Sequence, residues 1–133
     1  MKKTLLQILL TIFSTSVLTA NPSKGIWKQY LYTDGISSNY IFDIEKDDHD
    51  RIWIGTQNGV TLIEGLRVQK FGSSKGLPAA NIIKVVSANN KIYAATSTKG
   101  IYVLGPDGLF TKTSIIKGSN LYTMEKVGEK LFV

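Results

Sequence analysis

The sequence contains no cysteine and only one histidine, His49. The first absence excludes disulfides and thiolate metal sites outright. The second leaves any serine or threonine nucleophile without a base, because His49 sits in a polar run that reads as a turn. Helical periodicity is missing as well: after residue 20 no stretch spaces its apolar residues at three and four, so helix is expected to be nearly absent. Nor is positive charge gathered into a stripe. The formal charge of +6 includes Lys2 and Lys3, and the other lysines are scattered singly. That distribution gives solubility and a weak general field, and it argues against a nucleic-acid partner.

What is present begins with a leader. Lys2 and Lys3 precede an apolar stretch from Leu5 to Leu18, interrupted by Gln7, Thr11 and the Ser14-Thr15-Ser16 run, and Ala20 offers a small residue for cleavage. The apolar core falls short of the roughly twenty residues of a membrane span. Residues 1–20 are therefore expected to be a signal peptide, with an uncleaved anchor as the alternative because Leu18 stands where a small residue is usual. In either case the remainder is exported.

The 133-residue chain has room for one modest domain, and residues 21–133 repeat themselves. The first copy runs Asp34-Gly35-Ile36-Ser37-Ser38-Asn39, Ile41, Ile44, Asp47, Ile52-Trp53-Ile54-Gly55-Thr56, Gly59-Val60 and Phe71. The second runs Lys75-Gly76-Leu77-Pro78-Ala79, Ile82, Val85, Ile92-Tyr93-Ala94-Ala95-Thr96, Gly100-Ile101 and Phe110. A third begins with Leu121, Met124 and Val127 and reaches Leu131-Phe132-Val133. Gly35 to Gly76, Ile41 to Ile82 and Gly59 to Gly100 all recur at about forty residues, the length of one four-stranded propeller blade.

Within a copy, short apolar runs alternate with turn signals. Asp47-Asp48-His49-Asp50 separates two strands, Asn58-Gly59 is the dipeptide best suited to the centre of a two-residue hairpin, and Asn89-Asn90 and Pro106-Asp107-Gly108 are the turns of the second copy. A β-sandwich would give similar local signals, but matched signatures in each quartet favour radial repetition. The expected fold is all-β: a partial β-propeller of two four-stranded blades, approximately 32–71 and 72–110, and the start of a third over 111–133, behind the signal-peptide helix. Two blades and a fraction cannot close a ring, so the sequence is expected to be a truncated piece of a longer product. Trp53, Tyr93 and Phe132 should fill the same slot between blades.

The first copy resembles the two-component regulator propeller repeat: Asp34-Gly35-Ile36-Ser37-Ser38-Asn39, Ile44, the polar turn, Ile52-Trp53-Ile54-Gly55-Thr56 and Asn58-Gly59-Val60. The second departs from it with Lys75, Tyr93 and Ala95 in place of Asp, Trp and Gly. The resemblance implies a periplasmic sensor: usually two seven-bladed propellers, then a sandwich, a membrane helix and a kinase, response-regulator or diguanylate cyclase output. Members of this architecture often sense carbohydrate breakdown products. Neither a phosphoacceptor histidine context nor an ATP-binding glycine pattern is found in the chain.

Sites are sparse in this reading. A solvated turn accounts for Asp47 to Asp50 better than a calcium loop, which would need alternating ligands and a distal glutamate. Asp43, Glu45 and Asp47 share one face of a strand, and solvent-facing alternation explains them as well as paired-carboxylate chemistry does. Asp34, Gly35, Lys75 and Gly76 lead into the first strand of each blade and are the expected rim of a binding surface. The expected repeat-forming residues are Trp53, Gly55, Thr56, Gly59, Tyr93, Thr96 and Gly100. No catalytic residue, cofactor or metal is expected. Expected partners are the remaining blades, an oligosaccharide or other periplasmic ligand, and a second receptor copy. A secreted assembly scaffold is the alternative, and a propeller-based carbohydrate-active enzyme comes third.

Overall fold

The computed structural model describes residues 27–114 and 120–133. The signal peptide expected over 1–20, with its helix, lies outside the described residues. The rest forms three antiparallel sheets of four, four and two strands, consistent with partial β-propeller blades. Sheet 1 comprises β1 (Ile41–Lys46), β2 (Ile52–Thr56), β3 (Gly59–Glu64) and β4 (Arg67–Phe71) in sequential order. Sheet 2 repeats that order with β5 (Ile82–Ala88), β6 (Lys91–Thr96), β7 (Gly100–Leu104) and β8 (Phe110–Lys112). Sheet 3 is the hairpin of β9 (Glu125–Val127) and β10 (Lys130–Phe132). Helix is limited, among the described residues, to single 3-10 turns at Tyr32–Asp34 and Ser73–Lys75, one ahead of each four-stranded sheet.

The register shows how the copies correspond. Trp53 stands opposite Glu45, Tyr93 opposite Val86 and Phe132 opposite Glu125, so each aromatic holds one position of its first hairpin. Because side chains alternate across a strand, these residues point to one face of their sheet, here called the back. Ile44, Val85 and Met124 immediately precede Glu45, Val86 and Glu125 and point to the front. The back of sheet 1 packs on the front of sheet 2 in a core containing Trp53, Val60, Leu62 and Phe71 on one side and Val85, Ile92, Ala94 and Phe110 on the other. The back of sheet 2 forms a second core, where Val86, Ala95 and Ile101 meet Met124, with Tyr93 and Leu131 at its margin. Front-to-back stacking thus happens twice in the same sense.

Phe71 and Phe110, apparently matched ends of two copies, are not equivalent. The β3–β4 turn is Gly65-Leu66, whereas β7 and β8 are joined by residues 105–109. The longer connection shifts the last strand, so Phe110 pairs with Leu104 and corresponds to Val68, the partner of Ile63, rather than to Phe71, the partner of Val60. The two phenylalanines consequently face each other across the sheet 1–sheet 2 junction. Their centroids are 5.6 Å apart at 85°, an edge-to-face contact.

The second hairpin of sheet 1 also turns differently from expectation. Gln57 and Asn58 make the turn between paired Thr56 and Gly59, and Gly59 opens β3 at φ +118 rather than sitting at the hairpin centre. Asn89 and Asn90 are the two turn residues between β5 and β6, at φ +51 and +57. That is the left-handed pair a two-residue turn of this kind requires.

Candidate functional site

The first strands of the two four-stranded sheets, β1 and β5, approach each other most extensively, and the chemistry there is carboxylate on amide. β5 is an edge strand, so alternate N–H groups have no neighbouring strand to pair with. Asp43 Oδ2 accepts the N–H of Val85 at 2.8 Å, and Glu45 Oε1 accepts the N–H of Ser87 at 3.0 Å. Asp43 and Glu45 therefore join sheet 1 to sheet 2 and are not simply solvent-facing. Lys84 Nζ continues the link, 3.3 Å from Asp43 Oδ1 and 2.9 Å from Glu125 Oε1. The hydrogen bond to Glu125, opposed by partial burial and aided by Asp43, holds the Lys84 ammonium above its usual pKa.

Asp47 departs from the reading of a solvated turn. Asp48, His49 and Asp50 are exposed, but Asp47 is buried. Its Oδ1 accepts the N–H groups of His49 and Arg51, and its Oδ2 accepts Arg51 Nε at 2.7 Å and Trp53 Nε1 at 2.8 Å. Burial alone would push its pKa up. The hydrogen bonds from Trp53, from the Arg51 side chain and from the Arg51 and His49 backbone outweigh burial and hold it down to about 2. Among the described residues no group of three or more His, Asp or Glu side chains converges as metal ligands would.

The other repeat positions have local physical reasons. Trp53 is fully buried, its ring 5.7 Å from that of Phe71. A Cβ on Gly55 would stand 2.8 Å from the Ile82 carbonyl oxygen, so the missing side chain admits sheet 2 against β2. Ala95 occupies the corresponding place opposite Ile101. Thr56 and Thr96 are both buried and donate their hydroxyls to the carbonyls of Gly59 and Gly100, at 2.9 and 2.7 Å. Each also accepts a turn N–H, from Asn58 or Lys99. Tyr93 lies half-buried at the second junction, and Phe132, 54 % exposed, has no sheet against its back face among the described residues.

At the rim, Asp34, Gly35, Lys75 and Gly76 belong to the two 3-10 turns. Gly35 and Gly76 cap them at φ +99 and +85, and a Cβ on Gly76 would collide with the Phe110 carbonyl. Asp34 Oδ2 accepts the N–H of Leu31 at 2.7 Å, closing its own turn. A cleft of about 420 Å³ opens beside the second turn at the sheet 1–sheet 2 junction, and none of these four residues lines it. Gln57, Asn58, Ser73, Pro78 and Asn81 do. Its lining contains amides and a hydroxyl but no ionisable side chain, so it can hydrogen-bond a neutral polar ligand and offers no general acid or base. From the sequence, Asn58 reads only as part of a turn with Gly59, and Gln57 is not singled out. The available signal was the gathering of uncharged amides on loops that meet at one junction.

Comparison with known proteins agrees with this architecture. Residues 35–58 match the family described as two component regulator propeller. Over 58 residues the chain is 31% identical to "Histidine kinase P4" of Formosa agariphila, a match covering 44% of this chain and 4% of that protein. No solved structure matches the chain. The matched unit is a propeller repeat, consistent with a chain that carries no catalytic chemistry of its own. At residues 35–58, where the Gly35 turn, the Asp47 node and buried Trp53 fall, the chain carries a two-component regulator propeller repeat.

Proposed function

We propose that this chain is a ligand-sensing propeller segment of a bacterial two-component-type signalling receptor. The observation that carries the reading is the propeller repeat at 35–58, together with similarity over 58 residues to a histidine kinase. In this reading residues 1–20 direct export and are removed, and the mature segment works in the periplasm. It is completed by further blades, paired with a second receptor copy, and coupled to an output module elsewhere in the protein. The sheet 3 hairpin is then the start of a third blade. The uncharged cleft at Gln57, Asn58 and Asn81 is the ligand site, and its chemistry suits a polyhydroxyl compound such as an oligosaccharide.

A thermal-shift screen of neutral and charged oligosaccharides on the intact ectodomain tests this. A neutral glycan should raise the melting temperature, and an Asn58→Ala, Asn81→Ala variant should lose the shift while keeping its unliganded melting temperature. Silence from every glycan class contradicts the carbohydrate reading. N-terminal sequencing of the mature protein should begin after Ala20; a start at Met1 contradicts removal of the leader.

A further inference from the structure

A second cleft, of about 390 Å³, opens at the hairpin-turn rim, the end of the sheets away from the lead-in turns. Arg51 of sheet 1 and Asn90, Lys91, Ile92, Leu104 and Pro106 around sheet 2 line it, so it spans the first junction. Two cationic residues meet there, and no carboxylate residue is among those lining it.

Arg51 is held for a purpose its packing does not use up. Its Nε donates to Asp47 Oδ2 at 2.7 Å, and its guanidinium lies 5.4 Å from the Trp53 ring centroid. Those contacts fix the plane of the group, yet the two terminal nitrogens have no hydrogen-bond partner among the described residues. Asp47 cannot compete for them from below, because both of its oxygens already accept two hydrogen bonds. Lys91 is exposed at the start of β6 and makes no ion pair among the described residues. Asn90 reaches the mouth from its left-handed turn position. Beneath the charges the floor is apolar: Ile92 is buried and Leu104 half-buried.

A planar, pre-oriented guanidinium fork presents two parallel donors, which match the two oxygens of a carboxylate. We propose that this cleft binds an organic carboxylate with an apolar body. The carboxylate lies on the Arg51 fork with Lys91 beside it, and the body rests on Ile92, Leu104 and Pro106. The site is separate from the uncharged cleft on the other rim and does not depend on the signalling reading.

Saturation-transfer NMR on the intact protein tests the proposal with benzoate, benzamide and acetate as probes. Benzoate should bind saturably, whereas benzamide, which lacks the charge, and acetate, which lacks the body, should each bind at least about tenfold more weakly. Lys91→Gln should weaken benzoate about tenfold at unchanged melting temperature, since Lys91 takes no part in the packing. Arg51→Lys, which keeps the charge and loses the fork, should weaken it as well. Benzamide or acetate binding as tightly as benzoate, or Lys91→Gln leaving benzoate unaffected, would overturn the site.

Discussion

Ile44 in sheet 1 and Met124 ahead of sheet 3 occupy the same place in the repeat, yet Ile44 is 61% exposed and Met124 is fully buried. On the other face the order reverses: Trp53 of sheet 1 is 1% exposed and Phe132 of sheet 3 is 54% exposed. At these two positions burial therefore follows whether a neighbouring sheet covers the face, whereas Ile54 and Thr61, on the same front as Ile44, are buried where Ser37 hydrogen-bonds to Thr61. Among the described residues sheet 1 has a neighbour only on its back, sheet 3 only on its front, and sheet 2 on both. Stability in such a stack is a sum of sheet and junction terms, so the same substitution should read differently at each level.

The largest contrast should be at the back position. Trp53→Ala removes a buried ring that packs on Phe71 and satisfies Asp47, and should cost about 3–5 kcal/mol in urea unfolding. Phe132→Ala should stay within about 0.5 kcal/mol when sheet 3 has no further neighbour. A large cost at Phe132 would reveal a covering sheet. Next comes the front position: Met124→Ala should cost about 2–5 kcal/mol against about 0.5 for Ile44→Ala. Equal costs would break the argument from neighbours.

A smaller difference separates sheets 1 and 2 in acid. Asp47 has a folded pKa of about 2, below the ordinary 3.8, so its contribution is complete above the unfolded pKa and is lost as pH falls through the folded one. The shift corresponds to about 2 kcal/mol, disappearing between about pH 5 and pH 2. Ala88 stands in the equivalent position of sheet 2, so hydrogen exchange in acid should loosen the β1–β2 hairpin before the β5–β6 hairpin. Asp47→Asn should abolish that pH dependence, and retention of the slope in the variant would remove Asp47 as its source.

The architecture was legible because a repeated sheet writes its period into the chain: matched glycines and apolar strands recur whether or not each residue is covered. The turn at Asn89-Asn90 was legible for a local reason, since few residues tolerate that backbone. What the sequence concealed were relations between sheets. Asp43 and Glu45 alternate as solvent-facing carboxylates do, and only the approach of β5 turns them into acceptors for Val85 and Ser87. Asp47 looks like one more acid in a polar turn until Trp53 and Arg51 close on it. The Phe71–Phe110 equivalence failed because the longer β7–β8 connection changed a register that spacing along the chain cannot report. The rim residues Asp34, Gly35, Lys75 and Gly76 were conspicuous as turn formers, and they stand at the two 3-10 turns.

The central claim is that the back of one sheet lies on the front of the next, and Phe71 and Phe110 meet at that surface. A double-mutant cycle with Phe71→Leu and Phe110→Leu, read by urea unfolding, tests it most directly. Front-to-back stacking predicts a coupling of about 1 kcal/mol between the two changes. Costs that simply add, to within about 0.3 kcal/mol, would contradict it.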